Sequence, residues 1–389
     1  MDEDDPQPAT DPAPRRRPTR RAVIGWTVGC GAALLLVVAV VVGHHVASTA
    51  FDDARSRLAA VAADFEPARE NLEAALFDAV ASAAAVDAIL VVAADDLVDV
   101  GARSALESVS AAGDGTVDAA AQLLEEVEAP VDPPKPAWTW ELVAALSEID
   151  AATRAATDTE ATMRGLTADL DTAGASVKDA AGSFYASIGP ASAALEVSNI
   201  SARGNVVLNF RAARDAAAQQ TEVRRSASLA FEEYARKAEA LKQSAASELA
   251  EKAGPLYDTR LEIESFARSL SGGVVLDFDW QPLVNDLGGP DAISGTSTYS
   301  PDGGHSTITL SNSVAEWWPG ADARALVVHE VGHSISSKCY AMFDWQSAPA
   351  NEAWATAWAL SLGYTAEGNG TQAYGYPPQE LIETAAQCR

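Results

Sequence analysis

An uncharged run of 22 residues, residues 22–43, limits what this chain can fold into more than any other stretch. As a helix that rises 1.5 Å per residue, the run is about 33 Å long, enough to cross a hydrocarbon core of about 30 Å. Five arginines precede it and only His44 and His45 follow it, so the positive-inside rule places the N-terminus in the cytoplasm. We therefore predict a single-pass anchor in the cell membrane, with the remainder of the chain extracytoplasmic.

A cleaved signal peptide is the alternative for this segment, and it would make the protein secreted. Residues 19–24 loosely resemble a twin-arginine signal, and residues 48–50 offer a cleavage site. The uncharged run is long for a signal-peptide core, which favours an uncleaved transmembrane helix at 22–43. Residues 1–21 are Pro-rich and highly charged, so we predict a disordered cytoplasmic tail there.

Residues 44–270 are rich in alanine and are predicted to be helical. Apolar residues recur at intervals of three and four, as in Leu58, Val61 and Phe65. Alanine permits close approach of helices, so we predict an elongated helical bundle or coiled coil of four to six helices. Breaks are expected at residues 113–115, 130–136, 189–190 and 254–255, where Gly and Pro cluster. Nothing in this region indicates chemistry, and it is interpreted as a stalk, a spacer or a surface for self-association.

Residues 271–389 differ in composition and are predicted to form a small α+β domain, in a chain that is otherwise mostly α. Six of the nine tryptophans and three of the five histidines lie there. Strands are predicted at 274–278 and 305–310, and helices at 324–337, 351–362 and 380–387. Over the whole chain, 27 basic residues against 55 acidic ones exclude a surface that neutralises phosphates, so nucleic acid is not an expected partner.

The helix predicted at 324–337 carries the sequence H-E-x-x-H, with His329, Glu330 and His333, and Asp322 is its expected N-cap. Two histidines four residues apart lie on one helical face and can share a metal ion. Glu330 leaves the helix about 100° away from His329, so its carboxylate reaches the same cleft without binding the metal. Gly332 weakens the helix by about 1 kcal/mol relative to Ala, which a close approach by another backbone would explain.

With Glu352 in the N-E-x-x-A segment 351–355, nineteen residues after His333, this motif resembles the gluzincin clan of zinc metallopeptidases. It is most similar to the small, single-lobed, zincin-like forms, and the resemblance covers about the last 90 residues. It implies a Zn²⁺ ion held by His329, His333 and Glu352, a ligand set that leaves a fourth position open to water. Such enzymes commonly carry an aspartate one turn after the third ligand, where this chain has Thr356. The hydrogen bond that orients a metal-binding histidine is therefore expected from elsewhere, with Asp344 as a candidate.

The function implied is hydrolysis of peptide bonds in a peptide or protein substrate. Zinc lowers the pKa of a bound water toward about 7, and Glu330 acts as general base and then general acid. Tyr374 and Tyr376 follow the second helix and are candidate donors to the oxyanion, with packing as the alternative role. The strand at 307–310 is expected to lie at the sheet edge and to bind substrate by strand addition.

Two further residues are rival metal ligands. Cys339 lies where metzincins place a third ligand, but the glycine turn they need is replaced by Ser336, which favours a disulfide between Cys339 and Cys388. His305, near the predicted edge strand, is expected to contact substrate or solvent.

The alternative for the whole protein is a structural or sensory membrane protein whose helical ectodomain is the working part. Its zinc-binding end domain would then be catalytically degraded.

Overall fold

The computed structural model describes residues 20–299 and 304–389, with side chains from residue 32 onward, and most of this chain is helical. The predicted tail at 1–21 lies almost wholly outside the described residues. Six helices precede the first strand: α1 (Arg20–Val92), α2 (Val100–Glu126), α3 (Thr139–Ser198), α4 (Gly204–Ala218), α5 (Arg225–Glu251) and α6 (Tyr257–Leu270).

Helix α1 contains the predicted membrane span and continues beyond it without a break to Val92. Among the described residues, it is the one helix long and apolar enough to cross a membrane, although a signal sequence would pass the same test. Only 11% of its apolar 18-residue stretch is buried. The large apolar side chains from Leu34 to Val42 are between 51% and 73% exposed, so no described part of the chain covers this surface.

Two of the four predicted helix breaks are found and two are not. Residues 127–138 form the irregular connection between α2 and α3, and the connection between α5 and α6 contains Gly254 and Pro255. The breaks predicted at 113–115 and 189–190 are wrong, because α2 and α3 pass through them. Pro190 is tolerated because neighbours such as Phe184 and Ile188 are fully buried, and this packing offsets the cost of about 3 kcal/mol for proline in a helix.

The chain divides into two compact units, each made of two segments. The first unit comprises residues 1–76 and 118–169. Its core joins α1 to α3, through the buried side chains of Ala47, Phe51, Ala54 and Leu58 and of Leu142 and Ile149. In α3, buried residues recur every seven positions, at Leu142, Ile149, Ala156 and Met163. This spacing is that of a helix packed along one seam; the coiled coil itself stays a prediction.

The second unit comprises residues 77–117 and 170–389. Its helical part has an aromatic core in which Phe184 contacts Phe231 with ring centroids 5.2 Å apart. Tyr234 is fully buried there, and its hydroxyl donates to the backbone oxygen of Leu97 at 3.2 Å. Helices α4 and α5 contribute Phe210, Phe231 and Tyr234 to this core, and α6 then leads into the C-terminal sheet.

The C-terminal part of the second unit contains a three-stranded sheet and a separate two-stranded sheet, formed by the second and third strands, together with packed helices. Its strands and helices are β1 (Val275–Gln281), β2 (Leu283–Val284), β3 (Leu287–Gly288), β4 (Gly295–Tyr299), β5 (His305–Ser311), α7 (Asn312–Glu316), α8 (Ala321–Ser336), α9 (Ala348–Ser361), α10 (Thr371–Tyr374) and α11 (Gln379–Ala385). The strands at 274–278 and 305–310 and the three helices expected from the sequence are confirmed to within a few residues. Trp354 and Trp358 are almost completely buried in the core, as their spacing predicts.

The sheet has the order β1-β5-β4, with β1 parallel and β4 antiparallel to β5. Thr307 of β5 pairs with Asp277 on one side and with Thr298 on the other. The expectation that residues 307–310 form the sheet edge is therefore wrong. The outer strands are β1 and β4. The short run of Gly, Ser and Thr in β4 lacks the apolar alternation by which a strand is recognised.

The predicted disulfide between Cys339 and Cys388 is present and joins the segment after α8 to the C-terminus. Cys388 is buried, and its backbone oxygen accepts a hydrogen bond from Trp358 Nε1 at 2.8 Å. We expect replacement of both cysteines by serine to lower the free energy of unfolding by about 4 kcal/mol, because the bond closes a long loop in the unfolded chain. Urea unfolding measures this loss. Reduction of the unmodified protein should reproduce it, and equal stability of the two forms would contradict it.

Candidate active site

Helix α8 places the H-E-x-x-H residues in the core of the second unit, where His329, Glu330 and His333 are all buried. The helix packs against α9 and approaches its backbone closely at Gly332. A Cβ added to Gly332 would lie 3.1 Å from both Cα and the backbone oxygen of Ala355. This confirms the expected backbone approach, which brings α9 and its Glu352 next to the two histidines.

Three side-chain atoms from α8 and α9 converge on one point. His329 Nε2 lies 3.1 Å from Glu352 Oε2, His333 Nε2 lies 3.3 Å from the same oxygen, and the two imidazole nitrogens are 3.1 Å apart. Burial opposes the ionisation of Glu352, but hydrogen bonds and charge from both histidines outweigh it and hold the pKa of Glu352 well below its usual range. These three residues are a group that could hold a metal ion.

Glu330 lies beside this group without joining it. Its side chain is almost fully buried, and within the described part of the chain its Oε2 has no hydrogen-bond partner. Burial raises the pKa of Glu330 to about 7, against the opposing charge of His329. Because an unpaired buried carboxyl oxygen is costly, its position indicates that something else binds there, such as water or a ligand.

A backbone oxygen, instead of a carboxylate, orients His329. His329 Nδ1 donates to the backbone oxygen of Asn369 at 2.9 Å, and Thr356 Oγ1 lies 3.4 Å from the same nitrogen. Because this bond holds a proton on Nδ1, Nε2 is the ring nitrogen left to bind a metal ion. Asp344, the candidate suggested by the sequence, lies on the surface and no hydrogen bond joins it to either histidine within the described chain, so this expectation is wrong.

The loop that carries Asn369 is held in place by its own side-chain hydrogen bonds. The Asn369 side chain is completely buried, donates to the backbone oxygen of Tyr364 at 2.9 Å and accepts from the backbone N–H of Thr371 at 2.9 Å. Asp322 accepts from the backbone N–H of Gly368 at 3.1 Å. Asp322 is therefore not the N-cap of α8, a position that Gly320 occupies, and instead it fastens this loop.

The two candidate tyrosines differ in position. Tyr374, the last residue of α10, stacks on the His329 ring with centroids 6.0 Å apart and planes 9° apart. Burial and the nearby carboxylates of Glu352 and Glu330 raise the pKa of Tyr374, so its hydroxyl keeps its proton at neutral pH. Tyr376 is 71% exposed, and no hydrogen bond or ring contact joins it to these residues within the described chain. Of the pair, the structure brings only Tyr374 to the site.

Strand β4 passes directly beside Glu330. A Cβ added to Gly295, at the start of β4, would lie 2.8 Å from both Cγ and Oε1 of Glu330. A larger residue at this position would therefore force the Glu330 side chain to shift. One of the two outer strands of the sheet, β4, thus runs beside Glu330, at an edge where an extended chain can add.

The two rival ligands lie away from the site. Cys339 is consumed by the disulfide. His305 lies on the central strand β5, not at a sheet edge as expected, and packs against Gly204 at the start of α4, where an added Cβ would lie 2.7 Å from the His305 Cβ.

Comparison with protein-family models, with curated proteins and with solved structures gave no match. The site is therefore interpreted from its own geometry: two imidazoles and a carboxylate that converge, a buried carboxyl beside them, and an outer strand passing the acid.

Proposed function

We propose that this protein is a membrane-anchored zinc metallopeptidase that hydrolyses peptide bonds outside the cytoplasm. The observation that carries the proposal is the convergence of His329, His333 and Glu352, whose ligand atoms all lie within 4.8 Å of one another. The resemblance of the motif to gluzincins favours the same assignment.

The spacing of the three atoms fits a zinc ion. Four ligands at about 2.0–2.1 Å from a tetrahedral zinc lie about 3.3 Å from one another. The distances among His329, His333 and Glu352 are 3.1, 3.1 and 3.3 Å. Two nitrogens and one oxygen are also the donor types that catalytic zinc sites use, with a fourth position left for water. A zinc ion held there would supply a Lewis acid that makes water acidic near neutral pH.

The protein's own residues then have distinct roles. Glu330, with an unpaired oxygen beside the ligands, would take a proton from the attacking water and return it to the leaving amine. Asn369 holds the His329 ring through its backbone oxygen. Tyr374, which stacks on the His329 ring, would donate a hydrogen bond to the developing oxyanion, a role that we do not extend to Tyr376.

The substrate would bind as an extended segment along the outer edge of β4. Main-chain hydrogen bonds to this strand would carry the scissile bond past Gly295, where the strand approaches the Glu330 carboxylate. Recognition of this kind depends on backbone groups, so the class of substrate is an unfolded or flexible peptide segment.

Metal dependence tests the proposal directly. We expect the purified full-length protein in detergent to contain about one zinc per chain and to cleave members of a mixed peptide library. A chelator should abolish cleavage, and added zinc should restore it. Cleavage that persists after complete removal of metal, or a protein that binds no zinc, would contradict the assignment.

The hydrogen bonds of Asn369 provide a second expectation. In the Asn369→Ala variant, the loop loses both side-chain hydrogen bonds, so the backbone oxygen that accepts from His329 is no longer held in position. We expect zinc affinity to fall by about 10–100-fold, the range found for outer-shell partners of metal ligands. Competition with a chromophoric chelator measures the affinity. Gln372→Ala, at an exposed position of the adjoining helix α10, is the matched control, and equal affinities in the two variants would exclude this role.

The apolar start of α1 supports the membrane part of the proposal. Its large apolar side chains are exposed over more than two turns, a surface that lipid would cover. The arginines before it favour a cytoplasmic N-terminus. An extracytoplasmic location agrees with the disulfide, because such bonds persist in oxidising compartments.

A further inference from the structure

Two tryptophans at the start of α3 are exposed and stacked on each other. Trp138 and Trp140 are 58% and 66% exposed, and their rings lie 5.2 Å apart with planes 9° from parallel. Tryptophan carries a large apolar ring with one polar N–H, so such a pair is costly in water and suited to a boundary between an apolar and a wet phase.

The pair lies at the level where the apolar run of α1 ends. Thr139, between the two tryptophans, has its Oγ1 3.1 Å from Nδ1 of His44. His44 is the first residue after the uncharged run, which ends at Gly43. One hydrogen bond therefore fixes the indoles beside the position at which a helix crossing a bilayer would leave the hydrocarbon core.

Two ion pairs also join the loop before α3 to helix α1. In the loop before α3, Lys135 Nζ lies 2.6 Å from Asp52 of α1, and Asp132 pairs with Arg55 of the same helix. The segment leading into α3 is thus joined to α1 at Asp52 and Arg55, and α3 itself is joined to α1 at His44, where the apolar run ends. These contacts favour a position of the indoles near that end.

The surroundings of the pair are apolar and exposed. Val143, one turn after Trp140, is 58% exposed, and Val46 on α1 is 59% exposed. The chain carries a net charge of −28, so attraction to anionic headgroups does not draw this surface to a membrane. Contact there depends on the indoles and valines themselves.

We propose that Trp138, Trp140, Val46 and Val143 form a second membrane contact, in which the indoles lie in the headgroup region of the bilayer that the apolar run crosses. This inference rests on the anchor of the proposed function and not on the peptidase site. Aromatic side chains at this level act as interfacial anchors and set the tilt and rotation of a membrane helix. The contact gives α1 and α3 of the first unit a defined orientation at the membrane surface.

Quenching by brominated lipids tests the contact in the full-length protein. The protein is reconstituted in phosphatidylcholine vesicles brominated either near the headgroup or near the chain end. Trp26 lies inside the apolar run, so its fluorescence is removed by working in a Trp26→Phe background. The quenching that disappears on this substitution measures the contact of the anchor helix with lipid. In that background, we expect bromine near the headgroup to quench part of the tryptophan fluorescence. The double variant Trp138→Phe/Trp140→Phe should lose most of this quenching.

The controls separate the contact from the anchor. Trp317→Phe, which removes another exposed indole, should leave the headgroup-level quenching nearly unchanged. An equal loss in this variant would show that the signal follows the number of indoles and would overturn the proposal. Quenching of Trp26 without quenching of Trp138 and Trp140 would also overturn the proposed contact. The anchor would then stand, and the exposed pair would be assigned to a protein partner instead of the membrane.

Discussion

Replacing Glu330 by Gln is expected to lower the rate of peptide cleavage by about 10²–10⁴-fold while zinc remains bound, because only the proton-transfer group is lost. The amide has nearly the same size as the carboxyl and occupies the same buried position beside β4. Glu330 lies outside the group of three converging ligand atoms, so metal content should stay near that of the unmodified protein. Single-turnover cleavage of a library peptide and elemental analysis of the same sample measure the two quantities.

A matched exchange elsewhere provides the control for this variant. Glu316 lies on the exposed end of α7 in the same unit, and Glu316→Gln should retain full activity and full zinc. This pair of variants also distinguishes a peptidase from a structural or sensory protein. A structural or sensory protein with a degraded site would show no difference between the two variants, because neither carboxyl would serve in catalysis. Loss of zinc from the Glu330→Gln protein would show that Glu330 is a ligand and would contradict the assigned role.

The three converging side chains could be predicted from the sequence because their spacing is a property of two short helices. Two histidines four residues apart need only a helix to share a face, and Glu352 needs only a second helix packed against the first. Gly332 provided the one tertiary signal, since a glycine inside an apolar helix indicates a close neighbour. That neighbour is α9.

The remainder of the site depends on contacts that leave no local pattern. Asn369 acts through its backbone oxygen, which any residue possesses. Its loop is held by two hydrogen bonds, one from the Asn369 side chain to Tyr364 and one from the Gly368 N–H to Asp322. Strand β4 was missed because a short run of Gly, Ser and Thr resembles a loop until it pairs with β5. A sequence pattern identifies residues that act through their side chains more readily than those that act through the backbone.

The helical region shows the opposite error, in which local signals were read too strongly. Gly113 and Gly115 lie inside α2, where each glycine costs only about 1 kcal/mol relative to alanine. A helix buried along one face recovers such a cost over a few turns. Propensity predicts a break reliably only where packing does not oppose it, as in the proline-rich residues 127–138.

Replacing Glu352 by Ala is expected to remove most of the bound zinc, in contrast to the exchange at Glu330. Glu352 supplies the oxygen that lies 3.1 and 3.3 Å from the two imidazole nitrogens, so its loss leaves two ligands instead of three. Zinc affinity should fall by more than the about 10–100-fold decrease that follows removal of an outer-shell partner. Activity should disappear with the metal and return only in part at high zinc concentration.

Chelator competition measures this affinity, and Glu383→Ala, on the exposed face of α11, is the control that should bind zinc normally. Zinc affinity equal to that of the control would place the metal elsewhere and remove the basis for a peptidase. The combination of a Glu330 variant that binds zinc without cleaving and a Glu352 variant that does neither is specific to a catalytic metal site. A purely structural zinc site would lose its metal with Glu352 but would have no activity for the Glu330 exchange to remove.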